Sequence, residues 1–219
     1  MKIKALVAVR SGSERVPNKN LRNFSNGTLL KYKLEQLLRI SALDGVVVNS
    51  NDDTMLDIAK NLGCEVVKRE QIFADAKTSM SDVYENMAEN FTGDIVVYCN
   101  VTNPLISDEQ IIRVIEVYLD NEFESVNTAH LVKEFLFLDN KPINYDVTKQ
   151  PRSQDLPDIY ALNFAANVIS KEHMIRFKNI ISPKCKLLEI PMIEAVDIDT
   201  MLDFEVAEYL FDKKLKGIL

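Results

Sequence analysis

Two clusters of side chains in this 219-residue chain have the types and spacing for chemistry on a polyphosphate. The first is the run Arg10-Ser11-Gly12-Ser13-Glu14-Arg15-Val16-Pro17-Asn18-Lys19-Asn20, which directly follows an apolar segment that reads as a strand. A turn containing small Gly12 exposes successive backbone N–H groups, and Arg10, Arg15 and Lys19 add charge suited to a triphosphate. The competing reading is a solvated connection whose cations face water. The run is neither a Walker loop nor a GxGxxG turn, and the whole chain holds only 6 glycines. The second cluster is Asp197-Ile198-Asp199. Carboxylates at i and i+2 of an extended segment project to one side, so both can reach one hard cation, directly or through its waters. Here the competing reading is a helix cap at Asp199, before a helix that begins at Thr200, with Asp197 merely exposed.

These clusters need elements to position them. Ile3 to Val9, Val46 to Asn49, Cys64 to Val67 and Ile95 to Cys99 read as short buried strands alternating with amphipathic stretches. That pattern predicts an α/β fold, a three-layer, mostly parallel doubly wound sheet, whose ligand edge is the carboxyl ends of the strands. The clearest helix is Thr78 to Phe91, with Met80, Val83, Tyr84, Met87, Ala88 and Phe91 on one face. Another follows Ser107, where Ser107 and Gln110 fit a capping box. Leu30, Leu34, Leu37 and Leu38 mark a third, and Met55, Ala59 and Leu62 a shorter one. From about Ser125 to Asp158 the pattern loses regularity and reads as an excursion from the sheet. Core character returns at Ile159 to Ile169, then a short helix around His173, a strand at Lys186 to Ile190 and a final helix from Thr200 to Phe211.

Composition bounds the function. Apolar residues at 47% and charged residues at 27% require a folded globular chain, long enough for one substantial core. With 26 Lys+Arg against 33 Asp+Glu the net charge is −7, and no basic run tracks a nucleic-acid backbone, so nucleic acid is not the expected partner. Cys64, Cys99 and Cys185 form no CxxC pair and read as buried thiols. His130 and His173 lack metal-site spacing, and no serine sits in a nucleophile elbow. Met1-Lys2 runs straight into the first strand and no apolar stretch is long enough for a bilayer, so the expected location is the cytoplasm, away from any membrane.

The string AVRSGSERVPNKNL resembles the ARxGSKGxPxKN signature of the acylneuraminate cytidylyltransferase family, the synthetases of CMP-sialic acid and related CMP-nonulosonates. Further stretches match in order: Ser50-Asn51-Asp52-Asp53, Asn100-Val101-Thr102-Asn103-Pro104-Leu105, Gln150 to Pro157, and Val196-Asp197-Ile198-Asp199-Thr200. The resemblance spans essentially all of residues 1 to 219. It implies one magnesium-dependent catalytic domain that transfers CMP from CTP to an acidic sugar and releases pyrophosphate. It also implies a homodimer, with about 125 to 158 as an inserted dimerisation arm. Arg10, Lys19 and Asp199 would be catalytic, and Asp197 and Asp199 would hold Mg2+. Arg10, Ser11, Gly12, Ser13, Lys19, Asn20, Ser79, Asn100 and Thr102 would bind nucleotide, and Arg152, Gln154 and Asn163 the sugar.

The departures from the family pattern are specific. Glu14 stands where the signature has lysine, with Arg15 beside it as a compensating cation. Ala161 stands where sialic-acid synthetases commonly carry an arginine, and Phe164-Ala165-Ala166-Asn167 departs from the family's NGAIY. They are compatible with nucleotide binding and leave the acceptor open, so a different acceptor or base remains an alternative. Two further alternatives are a glycosyltransferase using Asp197-Ile198-Asp199 as a DxD motif and a non-catalytic paralogue.

Overall fold

In the computed structural model, which describes every residue except Ala76, Asn121 and Leu219, seven strands form one sheet. They are β1 (Ile3–Ala8), β2 (Val46–Ser50), β3 (Glu65–Lys68), β4 (Ile95–Tyr98), β5 (Ser125–Val132), β6 (Ile159–Ser170) and β7 (Cys185–Glu189). The spatial order is β7-β5-β6-β4-β1-β2-β3. Only β6 runs against its neighbours; the other pairings are parallel. The sheet is therefore mostly parallel, as the alternating pattern predicted, and its carboxyl edge collects the connections after β1, β2, β3 and β4.

Six helices cover the two faces: α1 (Leu29–Leu38), α2 (Asp53–Asn61), α3 (Met80–Glu89), α4 (Asp108–Leu119), α5 (Lys171–Phe177) and α6 (Met201–Leu215). Alternate strand residues divide the core, because successive side chains point to opposite faces. Ala5, Val7, Val48, Val97 and Val126 pack with α1, α2, α4 and α6, while Leu6, Val47, Val96 and Ile169 pack with α3 and α5. Of the periodic leucines of α1, Leu30, Leu34 and Leu37 are wholly buried, whereas Leu38 is exposed.

Two local expectations change. The first eight residues of the expected excursion, Ser125 to Val132, form β5 inside the sheet. Their alternation is hidden by polar side chains, yet Asn127 and Thr128 are fully buried. The excursion begins after Val132, with a two-residue ladder Phe137–Leu138 against Lys141–Pro142 closed by Asp139 and Asn140, both at positive φ. At α4, Ser107 does cap the helix, accepting from Gln110 N–H at 3.3 Å, but the Gln110 side-chain oxygen has no partner. The reciprocal bond comes instead from Glu194, whose carboxylate accepts from the Ser107 N–H at 2.8 Å and hydroxyl at 2.7 Å.

Candidate functional site

The cationic loop leaves β1 at the carboxyl edge and is pinned from beneath. Val16 is buried, and Asn20 is buried with its Nδ2 donating to Arg10 O at 3.1 Å, so the loop's two ends are tied together. Tight turns close it, with Lys19 N–H donating to Val16 O and Arg22 N–H to Asn18 O. Arg10 reaches across and donates from Nη1 to Ala74 O at 2.6 Å. Gly12 has φ +81 with nothing near its missing side chain, so the glycine serves backbone conformation rather than close approach.

The acidic segment comes to this loop from the far end of the chain. Ile198 is fully buried, which turns the flanking Asp197 and Asp199 the other way. Three bonds hold the segment: Ile198 N–H to Thr102 O at 3.0 Å, Asn103 Nδ2 to Val196 O at 3.1 Å, and Lys19 Nζ to Ile198 O at 2.6 Å. Arg15 Nη2 pairs with Asp199 Oδ1 at 2.7 Å. The helix cap is Thr200, in a capping box with Asp203, which corrects the reading of Asp199 as the cap. Asp199 keeps its carboxylate for the cleft.

Electrostatics follow from this packing. Burial draws the Lys19 ammonium below its usual pKa, and the nearby Asp197 and Asp199 oppose the drop. Burial also raises the Asp197 carboxyl; a hydrogen bond from Thr102 and the Lys19 charge work against that rise, and Asp199 adds to it. Asp197 Oδ1 is buried without a hydrogen-bond partner, an orphaned acceptor that suits a cation. Among the described residues no third His, Cys, Asp or Glu joins this pair as a candidate ligand. A magnesium ion, which keeps several waters and takes one or two carboxylates plus phosphate oxygens, fits such a sparse donor set.

A cavity of about 380 Å³ opens between the two clusters, lined by Arg10, Ser13, Glu14, Arg15, Lys19, Asn20, Asn100, Thr102 and Asp199. Seven of the predicted site residues thus meet in one place. A second cavity of about 350 Å³ shares Ala8, Val9 and Arg10 with the first and continues past Phe73, Thr78, Met80, Met87 and Tyr98.

The remaining predicted residues lie elsewhere. Ser11 turns to Asn51, with bonds from its N–H and to its hydroxyl, and Gly12 lines neither cavity. Ser79 spends its hydroxyl capping α3 and donating to Asp82. Arg152 is exposed and paired with Asp155 at 2.7 Å, and Gln154 is exposed in the same short turn. Asn163 is buried, its Oδ1 accepting from Thr128 and from Ala165 N–H, so it braces the β5–β6 irregularity instead of lining the cleft. Next to it Phe164 has φ +54, at the place where NGAIY carries glycine.

Sequence reasoning missed Arg69. It follows β3 at the same carboxyl edge, lines the second cavity, and is buried with two bonds to Asn49, at 2.5 Å to the side chain and 2.9 Å to the backbone. Desolvation lowers its pKa to about 10. The usable signal was position: an arginine directly after a parallel strand lies where ligands bind.

Comparison with known proteins gives a consistent picture. The family model described as cytidylyltransferase matches residues 4–213. A pseudaminic acid cytidylyltransferase of Campylobacter jejuni is 26% identical, with 96% of this chain and 97% of that protein covered. A CMP-N,N'-diacetyllegionaminic acid synthase of Legionella pneumophila is 24% identical, with both chains covered completely. In three dimensions the fold is similar to that of CMP:2-keto-3-deoxy-manno-octonic acid synthetase complexed with CTP. The TM-score is 0.74 at 13% identity, covering 98% of this chain and 100% of that one.

Proposed function

Since the chain belongs to the cytidylyltransferase family, we propose that it transfers CMP from CTP to a nonulosonic acid and releases pyrophosphate. The relatives named for pseudaminic and diacetyllegionaminic acid, matched along nearly their whole length, support this acceptor class. The observation that carries the reading is the convergence of Arg10, Arg15 and Lys19 with Asp199 around one cavity.

In this reading the triphosphate lies in the first cavity and the nucleoside in the second. Arg10 sits at their junction, oriented by Ala74 O. The second cavity offers apolar walls at Phe73, Val83 and Met87 and fixed polar groups such as Arg69 and Thr78, a mixture suited to a base. An acceptor hydroxyl attacks the α-phosphorus: the sugar O–P bond forms, the bond to the β-phosphate oxygen breaks, and the hydroxyl proton passes to solvent water. Lys19 and Arg10 offset charge on the departing pyrophosphate, and Ser13 and the loop amides orient its oxygens.

Charge balance favours a divalent cation. Glu14, Asp197 and Asp199 largely cancel Arg10, Arg15 and Lys19, leaving too little positive charge for a triphosphate. Mg2+ held by Asp197 and Asp199 would neutralise phosphate charge and make the acceptor hydroxyl more acidic. The excursion after Val132 exposes Phe137, Leu138, Ile143 and Val147, which supports its use as the contact of a homodimer. No helix among the described residues is long and apolar enough to cross a membrane, in keeping with a reaction in the cytoplasm.

The direct test incubates the protein with CTP, Mg2+ and a panel of pseudaminic, legionaminic and sialic acids, and follows pyrophosphate. The expected result is CMP-sugar and pyrophosphate in equal amounts with at least one acid. Tight CTP binding with no pyrophosphate across the panel, or release of nucleoside diphosphate from a nucleotide sugar, would overturn the proposal.

A further inference from the structure

A third cavity, of about 160 Å³, lies between α1 and α6 beside Pro104 and Ile106. Its walls carry three cations, Lys33, Arg39 and Lys214, beside the rings of Tyr32 and Phe211. Lys33 is the unusual member. Only 2% of it is exposed, and its ammonium touches neutral acceptors alone, Gln36 Oε1 at 2.8 Å and Asn103 O at 3.0 Å. A buried ammonium without a contacting carboxylate is costly, and burial lowers its pKa to about 8.

The surrounding charges do not supply the missing partner. Asp108 is taken by Arg39 in a two-pronged pair and also accepts from Gln36. Glu35, the carboxylate among the cavity's wall residues, pairs with Lys31 at 3.7 Å. Glu194, near Lys214, is bound by Ser107. Lys214 donates to Leu105 O at 2.8 Å from an otherwise exposed position. The Cys99 thiol near Lys33 is pushed up to about 11 and stays neutral. Positive charge therefore exceeds negative charge around a partly open cavity with room for about five waters.

We propose that this cavity binds a small phosphate-type oxyanion, free or as a monoester, which Lys33 and Lys214 hold from its two sides. Such a ligand supplies the counter-charge that Lys33 lacks and accepts its remaining N–H. The inference is independent of the nucleotide-transfer reading, since none of these residues lines the first two cavities.

The test uses the full chain with 13C-labelled lysine, the Lys33 signal being assigned by its loss in Lys33→Arg. Orthophosphate, pyrophosphate and glycerol phosphate are titrated separately at constant ionic strength, which ranks free ions against an ester. The Lys33 signal is expected to move saturably with at least one of them and to titrate at higher pH when saturated. Lys214→Met, which removes the less buried cation, should weaken that response about tenfold or more. Lys19→Ala, which strips a cation from the nucleotide cleft, should leave it unchanged. A Lys33 signal that ignores all three ions, follows chloride equally, or loses its response in Lys19→Ala overturns the proposal.

Discussion

Asp199→Asn separates chemistry from architecture, because the structure assigns its carboxylate little structural work. Among the described residues Asp199 has one ion pair, with Arg15, and the two side chains are 51% and 66% exposed. Exposed pairs of this kind contribute about 0–1 kcal/mol. The helix start is independent, since Thr200 and Asp203 cap α6 between themselves, and the Asp199 N–H that reaches Asp203 survives the substitution. The variant should therefore melt within roughly 4 °C of the wild type, the shift that about 1 kcal/mol gives a chain of this size. Turnover is a different matter. Removing one preorganised charge from a developing phosphorane costs on the order of 10²-fold or more. Thermal melts paired with a pyrophosphate-release assay, each with and without Mg2+, read both quantities. Wild-type-like turnover would refute the assignment of Asp199 to the cation, and a melting loss above about 10 °C would show that the exposed-pair estimate misjudged its structural role.

Two further substitutions probe the same framework. Asp197 has a carboxyl raised chiefly by burial, so its favourable contribution to stability exists below the ordinary carboxylate pKa of about 4 and disappears as pH rises through the folded value. Asp197→Asn should thus be more stable than the wild type near pH 7, with the gap closing toward low pH in urea melts; a variant less stable at neutral pH contradicts this. Phe164, at φ +54 and partly buried, sets strain against packing. Phe164→Gly removes the strain, worth about 1–2 kcal/mol, whereas Phe164→Ala keeps it and loses the same ring. Glycine should therefore be the less damaging replacement in chemical unfolding, and the reverse order would show that the positive φ carries no strain.

The strands and helices were legible where apolar periodicity is strong, as in α3 and α4, because burial of one face leaves a regular imprint. β5 was not, since Ser125, Asn127 and Thr128 are buried as polar residues held by specific partners, Ser182 and Asn163 among them, with only Asn127 Oδ1 left without one, and no hydropathy pattern encodes a partner. The same limit divides the site. Arg10, Lys19 and the two aspartates stood out because charge clustered after a strand or before a helix is conspicuous in sequence, and the structure brings Arg10, Lys19 and Asp199 to one cavity. Ser11, Ser79 and Asn163, also expected in the site, are bound locally outside the first cavity, since small polar residues serve equally as caps and braces. Arg69 and Lys33 were invisible: nothing in a lone cation's neighbours along the chain reveals that it is buried.

The juxtaposition of residues 10–20 with 197–199 rests on buried groups and on the Lys19 bond to Ile198 O more than on the exposed Arg15–Asp199 pair. The Arg15–Asp199 pair joins positions 184 apart in sequence but is too exposed to hold them. Burial of Ile198, worth about 1.5–3 kcal/mol, and its N–H bond to Thr102 O are the larger contributions. Asn103 then fixes Val196, and Lys33 fixes Asn103, so the acidic segment is registered against the connection after β4 by buried groups. Arg15 and Asp199 are consequently free to trade partners when a triphosphate enters, since separating them costs little and moves no buried atom. A cleft whose opposing charges sit on a rigid frame in a labile pair can accept an anion and a cation together without refolding.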